Sequence, residues 1–594
     1  MAAFDVVVLG GGTAGVHVAT EVAGGGKTVA LVEAGLIGGE SAYLACLPSN
    51  SLLLSATRGE PWEDAVARRT EVTGGLDDSA PAQRLRRAGV QVIRGTGRIT
   101  APGTVEVTLA PDADKTAGTT NTLTYSDLVI ATGCEPVAPP IEGLSDIPAW
   151  TTAQSLSSPD LPRRLIVLGG GPAGCELTQV YASFGSQVTL VEAEPRLLPG
   201  EPAFVGEILA AALRRAGAEI RLGSRATKAE RTADGLTLAL EDGTRIDAAR
   251  LLLASGRRPR LGGLGLDVLG VELTPGMALP TTTRCEVAGT GGLKVRVWAA
   301  GDVTGTTHTH ASHYQAGVVA ANILGQDREA DYSAIPRCVF TTPSVFAVGT
   351  IPGATEGGSA AADTASPDHG PDHGPDHGPG NGAKVRRMLR IARVPSAEVP
   401  GQGGTPAAQG GTGAQGGTVP EGGTVSQGGA GPRLITARAR LGDTARGYLG
   451  QDDLGCLELY ADAGTGVLAG AVAVGPDAAS WMGEVTLAIR AKIPVTVLAD
   501  VVHAFPTYGE ALETALRELA GSGGTAARAD QQKGTGTLSE LDMETPEGDA
   551  IEQHQEVTSD EAAATARREV PYDVNEADAA EQERAVGFDD DDYR

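Results

Sequence analysis

The sequence is short of long apolar runs, of cysteine and of any leader-like segment. No run of about 18 or more apolar residues occurs, so no segment has the composition of a membrane-spanning helix. The first residues lead directly into an apolar strand without a basic segment or a cleavage site, which predicts a cytoplasmic protein. Only six cysteines occur in 594 residues, and their spacing fits neither a metal site nor a disulfide framework. We therefore expect free thiols in a reducing compartment and no bound metal.

The net charge of -27 is concentrated at one end of the chain. Residues 521–594 carry 20 acidic and 6 basic side chains and few large apolar ones, so we expect a disordered acidic tail. The remaining chain is only moderately acidic. Such a balance is unfavourable for binding nucleic acid or for insertion into an acidic membrane.

A second segment of unusual composition, residues 353–431, consists of short repeats. Three copies of Pro-Asp-His-Gly are followed by Gly-Gly-Thr repeats, which is typical of a low-complexity insertion. His369, His373 and His377 recur every four residues and could hold a metal weakly. Because glycine and proline separate them, a repeat-expanded linker is the favoured interpretation. Without the insertion and the tail, about 440 residues remain, enough for several domains.

The N-terminus carries a complete dinucleotide-binding fingerprint. An apolar strand over residues 4–9 is followed by three glycines with fixed roles: Gly10 allows a tight turn, Gly12 lets the backbone approach a pyrophosphate, and Gly15 permits close packing of helix on strand. A second predicted strand ends at Glu33, whose carboxylate is placed to bind an adenosine ribose. The N-terminus of the intervening helix supplies amide donors to the anion.

The same unit recurs about 160 residues later, after a predicted strand over residues 164–168. The glycines at the corresponding positions are Gly169, Gly171 and Gly174. Two fingerprints imply two bound dinucleotides, and the simplest pair is a flavin and a nicotinamide. Glu192 ends the second strand, and its carboxylate would bind the ribose hydroxyls of NAD(H) and repel the 2′-phosphate of NADP(H). This favours NADH, a preference that the nearby Arg196 qualifies.

Further stretches resemble the pyridine nucleotide-disulfide oxidoreductases, the family of lipoamide dehydrogenase, glutathione reductase, mercuric reductase and soluble transhydrogenase. They are the turn Ala131–Gly133, the stretch Ala254–Pro259, the stretch Trp298–Asp302 and the segment Thr309–Gln315. The resemblance implies FAD and NAD(P)H as cofactors, with Gly133, Gly301 and Asp302 at the flavin and Asp302 bonded to its ribityl chain. It also implies that residues 309–315 lie along the flavin and that the protein is a homodimer.

The expected fold is therefore α/β, with two Rossmann-like domains for FAD and NAD and a C-terminal α+β dimerisation domain. The predicted boundaries are 1–150 for the first part of the FAD domain, 151–265 for the NAD(P) domain, 266–335 for the return to the FAD domain, 336–520 for the dimerisation domain with its insertion, and 521–594 for the tail.

The stretch Gly38–Asn50 departs from the family at its redox disulfide. Family members that reduce disulfides read approximately GG-x-C-x4-C-x-P-S-K, whereas this chain has Ser41 at the first cysteine, Cys46 at the second and Asn50 at the lysine. Since serine cannot form a disulfide, a dithiol relay through these positions is excluded. Cys46 is then either a lone thiol that tunes the flavin or a small buried packing residue.

Two further positions also depart from the residues that the family uses in disulfide reduction. The resemblance pairs the lost lysine with a glutamate at the position of Glu176, which Asn50 can hydrogen-bond but cannot neutralise. The family motif H-P-T-x-x-E reads Phe505 to Glu510, so that Glu510 is kept but the acid-base histidine is replaced by phenylalanine. His503 lies three residues before the proline of this motif. It would need a different backbone path to replace the missing histidine, so an ordinary interface histidine is the favoured interpretation.

These losses predict an FAD-dependent NAD(P)H oxidoreductase that delivers electrons to a small-molecule acceptor other than a disulfide, such as a quinone, a dye or a second nicotinamide. The candidate catalytic residues are Cys46, Glu176 and Glu510. One alternative is a degenerate dihydrolipoamide dehydrogenase-like enzyme whose second thiol is Cys134, which follows a flavin-associated turn. Another is a non-catalytic redox sensor or scaffold that binds FAD and NAD(H).

Overall fold

A computed structural model describes residues 2–110, 119–274, 276–306, 308–352, 433–450 and 453–528. The low-complexity insertion, its three repeated histidines and most of the acidic tail lie outside the described residues. In the described part, no helix is long and apolar enough to cross a membrane. No group of three or more His, Cys, Asp or Glu side chains in the same part is arranged to hold a metal ion.

The first region is built on a parallel sheet that ends in an antiparallel extension. Its strands are β1 (Ala2–Ala3), β2 (Val6–Leu9), β3 (Val29–Glu33), β4 (Val90–Ala101), β5 (Thr104–Leu109), β6 (Thr120–Thr124), β7 (Asp127–Ile130) and β8 (Cys134–Pro136). Its helices are α1 (Thr13–Gly24), α2 (Gly39–Tyr43), α3 (Cys46–Thr57), α4 (Trp62–Val72) and α5 (Ser79–Arg87). All four residues of β2 are buried, as expected for a central parallel strand covered on both faces.

The second region is another parallel sheet, with a small antiparallel sheet beside it. Its strands are β9 (Trp150–Thr151), β10 (Arg164–Leu168), β11 (Gln187–Val191), β12 (Glu219–Arg221), β13 (Ala226–Thr232), β14 (Gly235–Leu240), β15 (Arg245–Ala248), β16 (Arg250–Leu253) and β17 (Arg257–Pro259). Its helices are α6 (Thr152–Ser157), α7 (Pro172–Ser183) and α8 (Ala203–Arg215). The parallel strands follow the order β12-β11-β10-β16-β9, and β13, β14 and β15 form the antiparallel sheet.

The chain then returns to the first sheet through β18 (Arg296–Ala299), which pairs in parallel with β7. That sheet has the order β1-β6-β5-β4-β3-β2-β7-β18. Helix α9 (Thr309–Ile323) follows and packs on α1. Strands β8 and β17 form a separate two-stranded antiparallel ribbon where the chain leaves and re-enters this region.

The C-terminal region is an antiparallel sheet with helices packed against it. Its strands are β19 (Arg337–Val339), β20 (Ser344–Gly349), β21 (Leu434–Arg440), β22 (Cys456–Asp462) and β23 (Leu468–Gly475), in the order β19-β20-β23-β22-β21. Its helices are α10 (Ala445–Gly450), α11 (Ala478–Trp481), α12 (Gly483–Ala491), α13 (Val495–Leu498) and α14 (Gly509–Arg528). The predicted fold class, with two Rossmann-like regions and an α+β C-terminal domain, is confirmed.

Helix α14 continues eight residues past position 520, where the sequence suggested that the acidic tail begins. Composition alone indicated too little apolar surface there for folding. Extending an existing helix is easier than starting one, because each added residue gains a backbone hydrogen bond without a new nucleation step.

Candidate active site and cofactor sites

The first fingerprint forms a turn in which two glycines are required by their neighbours. A Cβ atom on Gly10, whose φ is +104°, would lie 2.2 Å from the carbonyl oxygen of Ala131, and one on Gly15 would lie 1.9 Å from the carbonyl oxygen of Gly10. The middle glycine differs, because a Cβ on Gly12 would meet only the Cα of Gly39, at 3.9 Å. Gly12 therefore borders open space, as a turn that a pyrophosphate approaches must do.

The second fingerprint repeats this geometry. A Cβ on Gly169, with a φ of +112°, would lie 2.5 Å from the carbonyl oxygen of Ala254, and one on Gly174 would lie 1.9 Å from that of Gly169. A Cβ on Gly171 would meet nothing within 4 Å. Both turns thus have tight first and third glycines and an open middle glycine, and both fit a bound dinucleotide.

Each turn is completed by the acid that the sequence singled out. The Glu33 carboxylate accepts a hydrogen bond from the backbone N–H of Gly11, and the Glu192 carboxylate accepts one from the N–H of Gly170. The acids are thereby held beside their turns, where a ribose would lie. Arg196, which qualified the preference for NADH, donates a hydrogen bond to the carbonyl oxygen of Pro199 at 2.8 Å.

The predicted flavin residues Gly133, Gly301 and Asp302 lie at the ends of β7 and β18. Gly133 and Gly301 have φ of +71° and +85°, and the carbonyl oxygen of Gly133 accepts the N–H of Arg260 at 2.9 Å. Burial raises the pKa of the Asp302 carboxyl, an effect that the guanidinium of Arg257, 3.5 Å from its Oδ2, opposes. This segment lies against the start of α1, since a Cβ on Gly301 would lie 3.4 Å from the Cβ of Ala14.

Ser41 and Cys46 meet at a third side chain that the sequence did not single out. The hydroxyl of Thr309, the first residue of α9, lies 2.8 Å from Ser41 Oγ and 3.6 Å from Cys46 Sγ. Cys46 is exposed at the first position of α3, so the interpretation of this cysteine as a buried packing residue is wrong. In the sequence, Thr309 was marked only as part of the segment 309–315, which was expected to lie along the flavin. Its contact with α2 and α3 is visible only in the fold.

Glu176 lies in α7 and is held by two donors. Its Oε1 accepts the N–H of Phe340 at 2.9 Å, and its Oε2 accepts the hydroxyl of Ser49 at 3.0 Å. Burial raises the pKa of Glu176, and these two hydrogen bonds oppose the increase. The expectation that Asn50 would bond Glu176 is corrected, because the Asn50 amide donates to the carbonyl oxygen of Cys46 at 2.9 Å. The preceding residue Ser49 takes the contact with Glu176.

Glu510 and the residues around it lie in the C-terminal domain. Glu510 Oε2 accepts the N–H of Ala445 at 3.1 Å, and its Oε1 is buried without a partner among the described residues. Phe505, at the position of the family's histidine, is 76% exposed. His503 places its Nε2 2.9 Å from Glu484 Oε1. The observed contacts of Glu510 are therefore within its own domain, whereas Cys46 and Glu176 contact residues of the nucleotide-binding regions and the start of the C-terminal domain.

Cys134, the alternative second thiol, is buried beside Asp302. Its Sγ lies 3.5 Å from the carbonyl oxygen of Asp302, and burial raises the pKa of the thiol to about 12. A thiol with so high a pKa is a poor nucleophile at neutral pH. The geometry gives no support to Cys134 as a partner of Cys46.

Three family models match the chain. One described as pyridine nucleotide-disulphide oxidoreductase matches residues 4–317, and the dimerisation domain of the same group matches residues 426–516. A third, the Mycobacterium Rv3202A family, matches residues 531–594. These last residues lie outside the described part of the chain, and the prediction of a disordered tail over them stays a prediction.

Several similar proteins align with most of the chain. Dihydrolipoyl dehydrogenase 3 of Pseudomonas putida is 33% identical over 375 residues, which is 59% of this chain and 78% of that protein. Mercuric reductase of Streptomyces lividans is 31% identical over 386 residues, which is 60% of this chain and 78% of that protein. The copper(II) complex of the HOCl-induced flavoprotein disulfide reductase RclA from Escherichia coli covers 87% of this chain and 100% of its own, with a TM-score of 0.67 at 22% identity.

The structure of LpdA from Mycobacterium tuberculosis also covers 87% of this chain and 100% of its own, with a TM-score of 0.64 at 23% identity. At 22% and 23% identity, the similarity to these two solved structures shows only the fold. Membership of a family is shown by the family models and by the more similar sequences. The dimerisation domain suggests a homodimer. The chain belongs to the pyridine nucleotide-disulfide oxidoreductase family, and it is an FAD-containing, NAD(P)H-dependent oxidoreductase.

Proposed function

We propose that this enzyme passes electrons from NAD(P)H, with NADH favoured, to an acceptor other than a disulfide, such as a quinone, a dye or a second nicotinamide. The observation that carries the proposal is the contact of Ser41 and Cys46 through Thr309. Position 41 carries a hydroxyl instead of a thiol, and this hydroxyl lies 2.8 Å from that of Thr309. Because serine cannot form a disulfide, positions 41 and 46 cannot store an electron pair between them. The mercuric reductase relatives carry a name that indicates an acceptor other than a disulfide.

The chain's own residues have limited tasks in this reaction. When bound, FAD would supply the two-electron redox chemistry between the nicotinamide and the acceptor. Gly12 and Gly171 leave room for two pyrophosphates. In the proposal, Glu33 and Glu192, which lie beside these turns, hold the riboses, and Asp302 binds the ribityl chain. None of these tasks requires the two thiols or the imidazole of a disulfide reductase.

The candidate catalytic residues take correspondingly different roles in the proposal. Glu176 is a buried carboxyl that accepts hydrogen bonds from Ser49 and Phe340. Cys46 is a lone thiol hydrogen-bonded to Thr309. Glu510 lacks the histidine that it would orient, because Phe505 occupies that position. We propose that Glu510 keeps only a structural contact, with Ala445.

We further propose the domain division predicted from the sequence, with the FAD domain formed by residues 1–150 and 266–335 and the NAD(P) domain by 151–265. Two observations support it. Strand β18 returns to pair with β7 of the first sheet, and β10 to β12 form their own parallel sheet. The dimerisation domain over 336–520 is supported by the antiparallel sheet of β19 to β23.

An anaerobic titration tests the proposed function. We expect NADH to bleach the flavin of the purified protein, and we expect a quinone or thio-NAD to reoxidise it while lipoamide does not. The Cys46→Ala variant is expected to keep its quinone reduction within about threefold, because the lone thiol stores no electron pair. Turnover of lipoamide at rates comparable to quinone reduction would contradict the proposal. A flavin that neither NADH nor NADPH bleaches would favour the alternative of a redox sensor.

A second prediction concerns position 50. The Asn50→Lys variant is expected to raise the flavin midpoint potential by about 30 mV, since a cation at this position of α3, where the family carries a lysine, favours the more negative, reduced cofactor. The neutral variant Asn50→Met, of similar length to lysine, is the control and is expected to change the potential by much less. Potentiometric titration of the three proteins measures the effect. An equal or lower midpoint in the lysine variant would refute the electrostatic explanation.

A further inference from the structure

An ion-pair cluster joins helix α2 to the ribbon of β8 and β17. Glu40, in the first turn of α2, accepts a hydrogen bond from Arg257 Nη2 at 2.6 Å through its Oε2. Its other oxygen, Oε1, accepts Arg260 Nη2 at 3.1 Å. The Arg257 and Glu40 side chains are only about one-third exposed, at 36% and 34%. Both carboxylate oxygens of Glu40 are thus committed to guanidinium groups from a distant part of the chain.

This cluster lies beside the first dinucleotide turn. The residue before Glu40, Gly39, packs so closely on Gly12 that a Cβ on Gly39 would lie 2.7 Å from the Gly12 Cα. On the other side, Arg257 Nη1 is 3.5 Å from Asp302 Oδ2. The charges therefore alternate from Arg260 through Glu40 and Arg257 to Asp302, between the pyrophosphate turn and the residue assigned to the ribityl chain.

We propose that Glu40 is a positioning residue that fastens α2 to the β8–β17 ribbon across the FAD site and slows the release of FAD. The Arg257 and Arg260 side chains come from the segment through which the chain returns from the NAD(P) region, so the fastening joins two separate walls of the site. Movement of α2 away from the ribbon requires both ion pairs of Glu40 to open. No other role in the proposed reaction depends on Glu40.

A purely electrostatic role for Glu40 would have the opposite effect. A carboxylate near a doubly negative pyrophosphate repels it, so that removal of the charge alone would retain FAD more strongly. In Glu40→Gln, loss of the fastening would speed the release of FAD, whereas loss of the negative charge alone would slow it. In Arg260→Gln, loss of the fastening and loss of a positive charge would both speed the release. The pair of variants therefore separates the mechanical effect from the electrostatic one.

The experiment measures the rate of FAD release from the diluted holoprotein by the rise in free-flavin fluorescence. Glu40→Gln and Arg260→Gln are each expected to release FAD about tenfold faster than the unaltered protein, which corresponds to about 1.4 kcal/mol. Glu135→Gln is the matched control. It removes the 2.7 Å ion pair of Arg258 and Glu135 on the same ribbon and is expected to leave the release rate unchanged.

Release from Glu40→Gln that is equal to or slower than that of the unaltered protein would overturn the proposal, as would equal acceleration by the control. If Glu40→Gln retains too little FAD for measurement, Glu40→Asp replaces it, because it keeps the charge and shortens the side chain that reaches Arg257 and Arg260. Faster release from Glu40→Asp supports the fastening, and an unchanged rate refutes it. The readout is release of the cofactor, so it is independent of which acceptor the enzyme uses.

Discussion

Replacing Ser41 by cysteine is expected to change the reducing capacity of the protein from about one equivalent of NADH per subunit to about two, because the new thiol can form a disulfide with Cys46 that stores a second electron pair. The geometry favours this pairing. The Ser41 oxygen and the Cys46 sulfur both contact the same Thr309 hydroxyl, and the two residues lie in the consecutive helices α2 and α3. Anaerobic titration with NADH, followed by the flavin absorbance, measures the capacity.

Adding Phe505→His to Ser41→Cys is expected to raise lipoamide reduction by at least about 100-fold over the single variant, the contribution typical of a positioned acid-base group. Phe505 is largely exposed in the subunit, so a smaller polar ring there disturbs no buried packing. The control is Ser41→Ala with Phe505→His, which has the imidazole but no second thiol and should remain inactive towards lipoamide. A Ser41→Cys protein that still takes up about one equivalent would show that positions 41 and 46 are not geometrically suited to a disulfide.

Alanine substitutions at Gly12 and Gly171 are each expected to impair the binding of a different cofactor. Gly12→Ala should yield protein with little FAD, whereas Gly171→Ala should carry its full FAD but require about 10- to 100-fold more NADH for bleaching. The physical reason is the same at both positions. Each glycine has an extended backbone that alanine also adopts, with φ of -74° at both, and the added Cβ projects into space that only a dinucleotide would fill.

The flavin content of the purified variants and their NADH titrations provide the two measurements. Gly174→Ala is a useful contrast to Gly171→Ala, since its Cβ would collide with the carbonyl oxygen of Gly169 and should destabilise the domain itself. Equal loss of FAD from Gly12→Ala and Gly171→Ala would contradict the assignment of FAD to the first turn and the nicotinamide to the second.

The two nucleotide-binding turns could be predicted from the sequence because their determinants are local. The glycines, the strand before them and the acid at the end of the next strand lie within about 30 residues in each unit, and backbone sterics fix their arrangement. Strand β10 begins and ends at the predicted residues, and Glu33 and Glu192 both lie beside their turns.

The contacts between distant segments could not be predicted in the same way. Whether Ser49 or Asn50 reaches Glu176 depends on the rotation of α3 against α7, a one-residue difference that motif alignment does not resolve. Thr309 reaches Ser41 across 268 positions of sequence, and Arg257 reaches Glu40 across 217. Such pairs have no local pattern, because they depend on tertiary packing.

The strand order of the C-terminal sheet explains how the chain accommodates about 80 residues between β20 and β21. These two strands do not pair with each other, since β23 and β22 lie between them, and β21 lies at the sheet edge. A connection between strands that do not pair has no tight-turn geometry to satisfy. Lengthening a five-residue connection sixteenfold costs about 2.4 kcal/mol, at about 0.6 kcal/mol for each doubling. This junction is consequently a place where the domain can gain sequence at a cost that grows only slowly with the length added.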